Sequence, residues 1–373
     1  MVTFDEWGPE KILEVWDPKA GLHGFSVIDN TALGPGKGGM RMTPAVTIDE
    51  VSRLARAMTW KNALAELPFG GAKSGIAADV RKISPQEKEA IMRAFGKALR
   101  PIVPSIYVAG PDINTTEKEM QQFAEANGSW EACTGKPADY CNSGKCGLPH
   151  ELGSTGFGIL HSTLVALKHL GMPAEGTTVA IEGFGNVGTF AMKFFAEHGI
   201  KIVAVSDSKG TVYNPEGLDY GKMMEAKKNH GTVTRYGSGK VIKGEELFSL
   251  PVDVVIPGAL PDVITEKNYR SIKAKLIVEA GNIPMSPSIE KKLHDSGKLV
   301  VPDFVANAGG VISSWVEYIG EDADYMFRVV EEKITRNTRL VLERSEAEGI
   351  IPRDAALAIA QERVRKAMEK RGN

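Results

Sequence analysis

Between Thr47 and Leu67 the apolar residues Val51, Leu54, Ala55 and Met58 recur three and four apart, which predicts an amphipathic helix with one buried face. Thr47 and Glu50 form a capping box at its start and Pro68 stops it. The same stripe continues through positions 61, 62 and 65, so Lys61 falls on or beside the buried face. Upstream, Phe25 to Asp29 reads as a strand and Leu33 to Gly39 as a Gly/Pro turn; downstream, Gly70-Gly71 reads as a glycine-rich turn. Beyond residue 176 the pattern changes. Short apolar runs at Thr177 to Glu182, Ile200 to Asp207, Val252 to Ile256, Lys275 to Glu279 and Leu299 to Val301 read as buried strands, with Asn186 to His198 helical. Strands alternating with helices predict an α/β fold with a parallel, doubly wound sheet. The tail, roughly Asp322 to Lys370, is helical with a break at Pro352 and Asp354. Having no strand, it is expected to pack back across the first domain.

Composition changes this picture little. A chain of 373 residues accommodates two domains. A formal net charge of −2 gives no reason to expect a nucleic-acid partner. No apolar run is long enough for a bilayer, so no membrane partner is expected either. Residues 1–16 lack the basic start and apolar stretch of a signal peptide. Cys133, Cys141 and Cys146 are too few for a disulfide scaffold, and their odd number fits a reducing cytoplasm. Cys141 and Cys146 have no nearby partners for a metal, so no metal site is expected.

One stretch carries a specific chemical signal. Gly183-Phe184-Gly185-Asn186-Val187-Gly188 has the spacing G-x-G-x-x-G, follows a predicted strand and opens a predicted helix. Gly183 permits the tight turn, Gly185 lets backbone approach a pyrophosphate, and Gly188 lets helix and strand pack closely. The helix start, with Asn186 and Val187, offers free N–H groups to phosphates. Asp207 ends the second strand, where an acid would meet a ribose 2′-hydroxyl; Ser208 and Lys209 beside it would suit a 2′-phosphate, so NAD and NADP both stay open. The alternative for Asp207 is an ordinary strand-end turn residue.

A second signal is a set of lysines in unusual settings. Lys61 sits on the buried helix face, Lys73 in Gly70-Gly71-Ala72-Lys73-Ser74-Gly75, and Lys37 in Gly34-Pro35-Gly36-Lys37-Gly38-Gly39. Clustered cations hold carboxylates and depress one another's pKa, so one amine could be neutral near pH 7 and act as a base. Asp112, in Gly110-Pro111-Asp112-Ile113-Asn114-Thr115, is either a helix cap or a proton relay beside Lys73.

Together these stretches resemble the glutamate/leucine/phenylalanine/valine dehydrogenase family. The matching pieces are Lys37 to Arg41, Met58 to Lys61, Pro68 to Lys73, Pro111 to Thr115, Thr134 to Pro137, Ser154 to Gly156, Gly183 to Gly188, Pro302-Asp303 and Ala306 to Val311, in the family's order. The resemblance implies a substrate and oligomerisation domain of residues 1–155 plus 320–373. It also implies a Rossmann-type dinucleotide-binding domain of residues 156–319, with a cleft separating the two. It implies Lys73 and Asp112 as catalytic residues, with Lys61 on the substrate α-carboxylate and Gly110 and Asn307 also at the substrate. Thr155 and Asn282 would join Gly183, Gly185, Asn186, Val187, Gly188, Asp207 and Ser208 at the cofactor. Lys37 with Ser314 would select an acidic side chain, since an unpaired buried lysine penalises an apolar one. The expected reaction is reversible oxidative deamination of L-glutamate to 2-oxoglutarate and ammonia by a homo-oligomer using NAD or NADP. The competing readings are the same chemistry on a branched-chain or aromatic amino acid, suggested by the style of residues 17–42, and a non-catalytic dinucleotide-binding sensor.

Overall fold

The computed structural model describes residues 2–149 and 152–372. The chain divides into two compact units. Met1–Leu152, Val311–Met326 and Ile359–Asn373 form the first, and Gly153–Gly310 with Phe327–Ala358 form the second.

In chain order the first unit opens with β1 (Lys11–Asp17), β2 (Leu22–Asn30), β3 (Gly36–Lys37), β4 (Met40–Met42) and helix α1 (Ile48–Leu64). Then come β5 (Gly70–Ile76), α2 (Pro85–Ala98), β6 (Tyr107–Val108), α3 (Glu117–Asn127) and a small hairpin of β7 (Cys141–Asn142) and β8 (Lys145–Cys146). The main sheet runs β1-β2-β5-β3-β6, with β4 also paired to β5. Strands β1, β2 and β5 are antiparallel, whereas β3 runs parallel to both β5 and β6.

Period-two alternation sends the two faces of the sheet to different layers. Leu22, Ile28, Ala72 and Ile76 pack with Phe95 and Leu99 of α2 and its C-cap and with Met120 and Phe123 of α3. Phe25 and Val27 meet Val51 and Ala55 of α1. Lys73, between Gly71 and Gly75, therefore lies on the α1 face.

Two local expectations need correction. Residues 70–76 form a fully buried strand rather than a turn, and Lys37 also sits on a strand, β3. The glycines serve close packing. A methyl on Gly71 would fall 2.0 Å from Thr59 Oγ1 and 2.3 Å from the Thr59 backbone nitrogen, and one on Gly75 would meet Val46 and Val51. Helix α1 thus rests almost directly on the β5 backbone. Gly71→Ala is expected to destabilise the first unit by about 3 kcal/mol or more, because backbone must move; its thermal midpoint should fall well below that of the parent chain. Helix α1 also ends at Leu64, before Pro68, and Glu50 pairs with Arg41 while Thr47 caps the helix through the Glu50 N–H.

The second unit begins with α4 (Ser154–His169), β9 (Thr178–Glu182), α5 (Asn186–Glu197), β10 (Lys201–Asp207), β11 (Gly210–Tyr213), α6 (Tyr220–His230) and β12 (Lys240–Ile242). Next come β13 (Val254–Pro257), β14 (Leu276–Val278), α7 (Pro287–Asp295), β15 (Leu299–Val301) and α8 (Asp303–Ala306). Helices α9 (Gly309–Ile319), α10 (Ala323–Glu348) and α11 (Pro352–Arg371) complete the chain, and their residue ranges pass from one unit to the other. The sheet order is β12-β11-β10-β9-β13-β14-β15. Strands β10, β9, β13, β14 and β15 are parallel as expected; β11 and β12 add an antiparallel edge that the apolar runs did not signal. The order turns back at β9, with β10 on one side and β13 on the other, the switch point where α/β sheets bind ligands. Among the described residues no helix is long and apolar enough to cross a membrane.

Candidate active site

In the first unit the strands bring chemistry-bearing residues together from distant stretches. Lys73 Nζ lies 2.8 Å from Asp112 Oδ2, and Arg41 Nε lies 3.0 Å from the same oxygen. A methyl on Gly39 would come 3.2 Å from Lys73 Nζ and 2.9 Å from Asp112 Cβ, so the glycine leaves room for the pair. Asp112 is not a helix cap: α3 begins at Glu117, and Thr116 with Glu119 caps it. Burial works to raise the Asp112 pKa, but Lys73 and Arg41 outweigh it and hold the carboxyl below its ordinary value. Arg41 belonged to a recognised motif, yet nothing local told that it would reach a carboxylate 71 residues away.

Of the three lysines singled out in the sequence, Lys37 is the most deeply buried, with only 3% of its surface exposed. Its Nζ donates to Ala109 O at 2.7 Å. Burial pushes its pKa down to about 7, with Lys136 and Lys73 acting in the same direction against Glu317. The depressed amine is therefore Lys37, whereas the lysine set as read from sequence left open which amine it would be. Lys61 occupies the last turn of α1 and is half-buried, beside the fully buried Asn62.

Behind Lys37 lies a buried ion pair that sequence reasoning missed. Lys136 Nζ sits 2.7 Å from Glu317 Oε1, also donates to the carbonyl of Cys133, and lies 3.7 Å from the centroid of the Trp130 ring. Glu317 Oε2 accepts from the Gly135 N–H at 2.7 Å and the Leu148 N–H at 3.1 Å. Ser314 stands one turn before Glu317 on α9, so the two share a side of the helix.

The hairpin between those anchors corrects an expectation. Cys141 and Cys146, whose odd-numbered set reads as fitting a reducing cytoplasm, are joined by a disulfide across β7 and β8. A pairing register places them opposite each other, which spacing alone does not reveal. Both cysteines are exposed, while Cys133 is a buried free thiol.

In the second unit the glycine motif has the geometry its spacing implied. Gly183 adopts φ +96°, closed to most side chains. A methyl on Gly188 would fall 1.9 Å from Gly183 O, and one on Gly185 would meet nothing within 4 Å. Gly185 precedes α5, with Asn186 its first residue and Val187 its second. Open space in front of the amino end of a twelve-residue helix fits a dinucleotide pyrophosphate. Glu182 Oε2 accepts from the Gly258 and Ala259 N–H groups, tying the neighbouring strand's loop to the motif.

Asp207 is already well occupied. Its oxygens accept from Lys209 N, Thr232 Oγ1, Lys227 Nζ and Val233 N at 2.9, 3.2, 3.0 and 2.8 Å. Four donors fill a carboxylate's usual acceptor capacity, so ribose contact there would require an exchange of partners. Ser208 is exposed beside it.

Asn307 Nδ2 donates to Asn282 Oδ1 at 3.1 Å and to Ala280 O at 3.2 Å. The loop carrying Asn282 is held from below. Asp303 Oδ2 accepts the Ile283 N–H, and Arg353 bridges Asp303, Glu279 and Glu290. One cation among three buried carboxylates leaves negative charge in excess. Burial first, and Glu290 next, push the Glu279 carboxyl well above its ordinary range. Thr155, at the start of α4, lies near the Asn307 motif: a methyl on Gly310 would come 3.1 Å from its Oγ1.

Comparisons with known proteins agree on one assignment. A family model described as glutamate/leucine/phenylalanine/valine dehydrogenase matches residues 147–372. A second, the dimerisation domain of Glu/Leu/Phe/Val dehydrogenases, matches residues 9–127. A glutamate dehydrogenase of Aeropyrum pernix is 41% identical over 360 residues, 92% of this chain and 85% of that protein. One of Thermotoga maritima is 39% identical over 94% of this chain and 86% of its own. Among solved structures, a hetero-hexameric glutamate dehydrogenase from Thermus thermophilus superposes with a TM-score of 0.86 at 30% identity, covering 98% of this chain and 90% of that one.

Proposed function

Because this chain belongs to the glutamate/leucine/phenylalanine/valine dehydrogenase family, we propose that it deaminates L-glutamate oxidatively and reversibly to 2-oxoglutarate and ammonia, using NAD or NADP. It is an NAD(P)-dependent L-amino-acid dehydrogenase. The observation that carries the substrate reading is the buried Lys37, a cation with no carboxylate of its own at bonding distance among the described ion pairs, on the sheet face that also carries the Lys73–Asp112 pair. A buried ammonium of this kind favours a substrate with a second carboxylate.

The first unit would hold the amino acid, with its α-carboxylate on Lys61 and its side-chain carboxylate on Lys37 and Ser314. The second would hold the dinucleotide along Gly183, Gly185, Asn186, Val187 and Gly188, with Thr155, Asn282, Asp207 and Ser208 completing its contacts and Asn307 shared with the substrate. When bound, the nicotinamide supplies the acceptor for the hydride leaving Cα. Lys73 then directs and activates the water that adds to the resulting iminium carbon. Asp112, kept ionised by Lys73 and Arg41, takes the proton from Lys73's side and delivers it to the departing amine. The balance is one water consumed, with ammonium, a 2-oxo acid and a further proton released for each hydride transferred.

The matched dimerisation domain supports a homo-oligomer. A cytoplasmic location is part of the same reading; there the exposed Cys141–Cys146 bridge is the feature a reducing compartment would open.

A panel of L-amino acids assayed with NAD and with NADP tests the reading. Glutamate should be oxidised far faster than leucine, valine or phenylalanine, and a preference for an apolar amino acid would overturn it. Glutarate, a dicarboxylate without an amine, probes Lys37 without bringing a titrating amine of its own. Binding favours the protonated amine, so at pH below about 7 no proton need be taken up. Above that value the inhibition constant of glutarate should rise by up to about tenfold per pH unit, and the rise should vanish in Lys37→Met.

A further inference from the structure

We infer that Asp303 is a positioning residue for the cofactor: its carboxylate holds Ile283 in a left-handed backbone conformation, and that conformation sets Asn282 where the dinucleotide meets it. The inference rests on the proposed cofactor contact of Asn282 and supplies what keeps that residue in place.

The starting observation is a local cost with no local return. Ile283 has φ +51°, the left-handed region that glycine takes freely and a β-branched side chain resists. Packing of the side chain does not offset that cost, because 53% of the residue is exposed. Strained backbone of this kind persists only where the surrounding structure imposes it, and it gathers at ligand sites. Here it is imposed from both sides. Asp303 Oδ2 accepts the Ile283 N–H at 3.0 Å, and Ile283 O accepts the Asp262 N–H at 3.0 Å.

Asp303 is well placed to act as the anchor. It is buried, its own N–H donates to Glu279 Oε2 at 2.8 Å, and its Oδ1 accepts from the Phe304 N–H at 2.9 Å and from Arg353 Nη2 at 3.0 Å. The loop is therefore fixed at its buried end and carries Asn282 at its exposed end. Asn307 Nδ2 donates to Asn282 Oδ1 at 3.1 Å, which leaves the Asn282 NH2 as the group on offer to a ligand. The sheet order gives that offer a direction. Asp207 ends β10 on one side of β9, and Asn282 follows β14 on the other. With the pyrophosphate at the turn after β9 and the adenosine ribose toward β10, Asn282 belongs to the nicotinamide half. Relaxing Ile283 to a negative φ would swing Asn282 against the buried Pro284 and out of reach of Asn307.

The test is direct binding of the reduced dinucleotide that the parent enzyme prefers, read by the fluorescence of the dinucleotide itself. Asp303→Ala should weaken that binding about tenfold, the order of effect expected when a strained conformation loses its anchor. It should leave 5′-ADP, which lacks the nicotinamide riboside, bound as in the parent. The variant should fold, because Arg353 keeps Glu279 and Glu290 and the cluster loses one of its surplus negative charges. Ile283→Gly should bind the dinucleotide as the parent does, since glycine adopts the left-handed region without an anchor. In that background Asp303→Ala should cost far less, a rescue that a merely structural role of Asp303 would not produce. Should Asp303→Ala not fold, Ile283→Pro must show the same loss, because proline fixes φ at about −65° and has no N–H to donate. Unchanged dinucleotide binding in folded Asp303→Ala, an equal loss for 5′-ADP, or a loss that Ile283→Gly fails to reduce would overturn the inference. Asn282→Ala checks the premise separately: dinucleotide binding left unchanged by it would overturn the cofactor reading of Asn282, and the role of Asp303 with it.

Discussion

Lys73→Ala is expected to fold normally and to lose about three orders of magnitude in kcat on glutamate. General acid–base catalysis by one placed group contributes typically about 10²–10⁴-fold, and Lys73 has two duties here, aiming water and exchanging a proton with Asp112. The fold should survive because Asp112 keeps Arg41 at 3.0 Å when Lys73 is removed. The lysine lies on a strand whose pairing partners on both sides are backbone. Retention of near-parental turnover by a folded Lys73→Ala protein would end the proposed mechanism. The KM for glutamate should change much less than kcat, since the substrate carboxylates are assigned to other lysines.

Lys37→Leu should reverse substrate choice. Removing one partner of a buried ion pair costs about 3–5 kcal/mol, which for glutamate corresponds to a loss of roughly two to four orders of magnitude in kcat/KM. L-Norvaline, left beside an apolar side chain instead of an ammonium, should improve. The ratio of kcat/KM for the two substrates is the measure, and it should invert. A ratio unmoved by the substitution would mean that the distal carboxylate is bound somewhere else.

The features legible in the sequence are those whose cause is local. The α1 stripe at 51, 54, 55 and 58 foretold the layer that packs on the sheet, and Val51 and Ala55 are fully buried in it. The glycine motif foretold its own conformation, because a tight turn, a close approach and a helix start all lie within six residues. Strand β5 was not legible. Gly-Gly-Ala-Lys-Ser-Gly carries no alternation of large apolar and polar residues, and it is a strand because β2 and β3 pair with it while α1 covers it. The same holds for Lys37 on β3. The polar partners stayed hidden for a related reason: Arg41 reaches Asp112 across 71 residues, and Glu317 reaches Gly135 across 182. Fold places such pairs together, and no window of sequence contains both.

Glu317 has one more implication. By gripping Gly135, Lys136 and Leu148 with a single carboxylate, it closes the base of the segment that carries Cys141 and Cys146. Whatever is strung between those anchors is held at its base apart from the surroundings of Lys37. A change of length in that segment, or opening of its Cys141–Cys146 crosslink, is therefore expected to leave the anchored backbone at Gly135 and Leu148 in place.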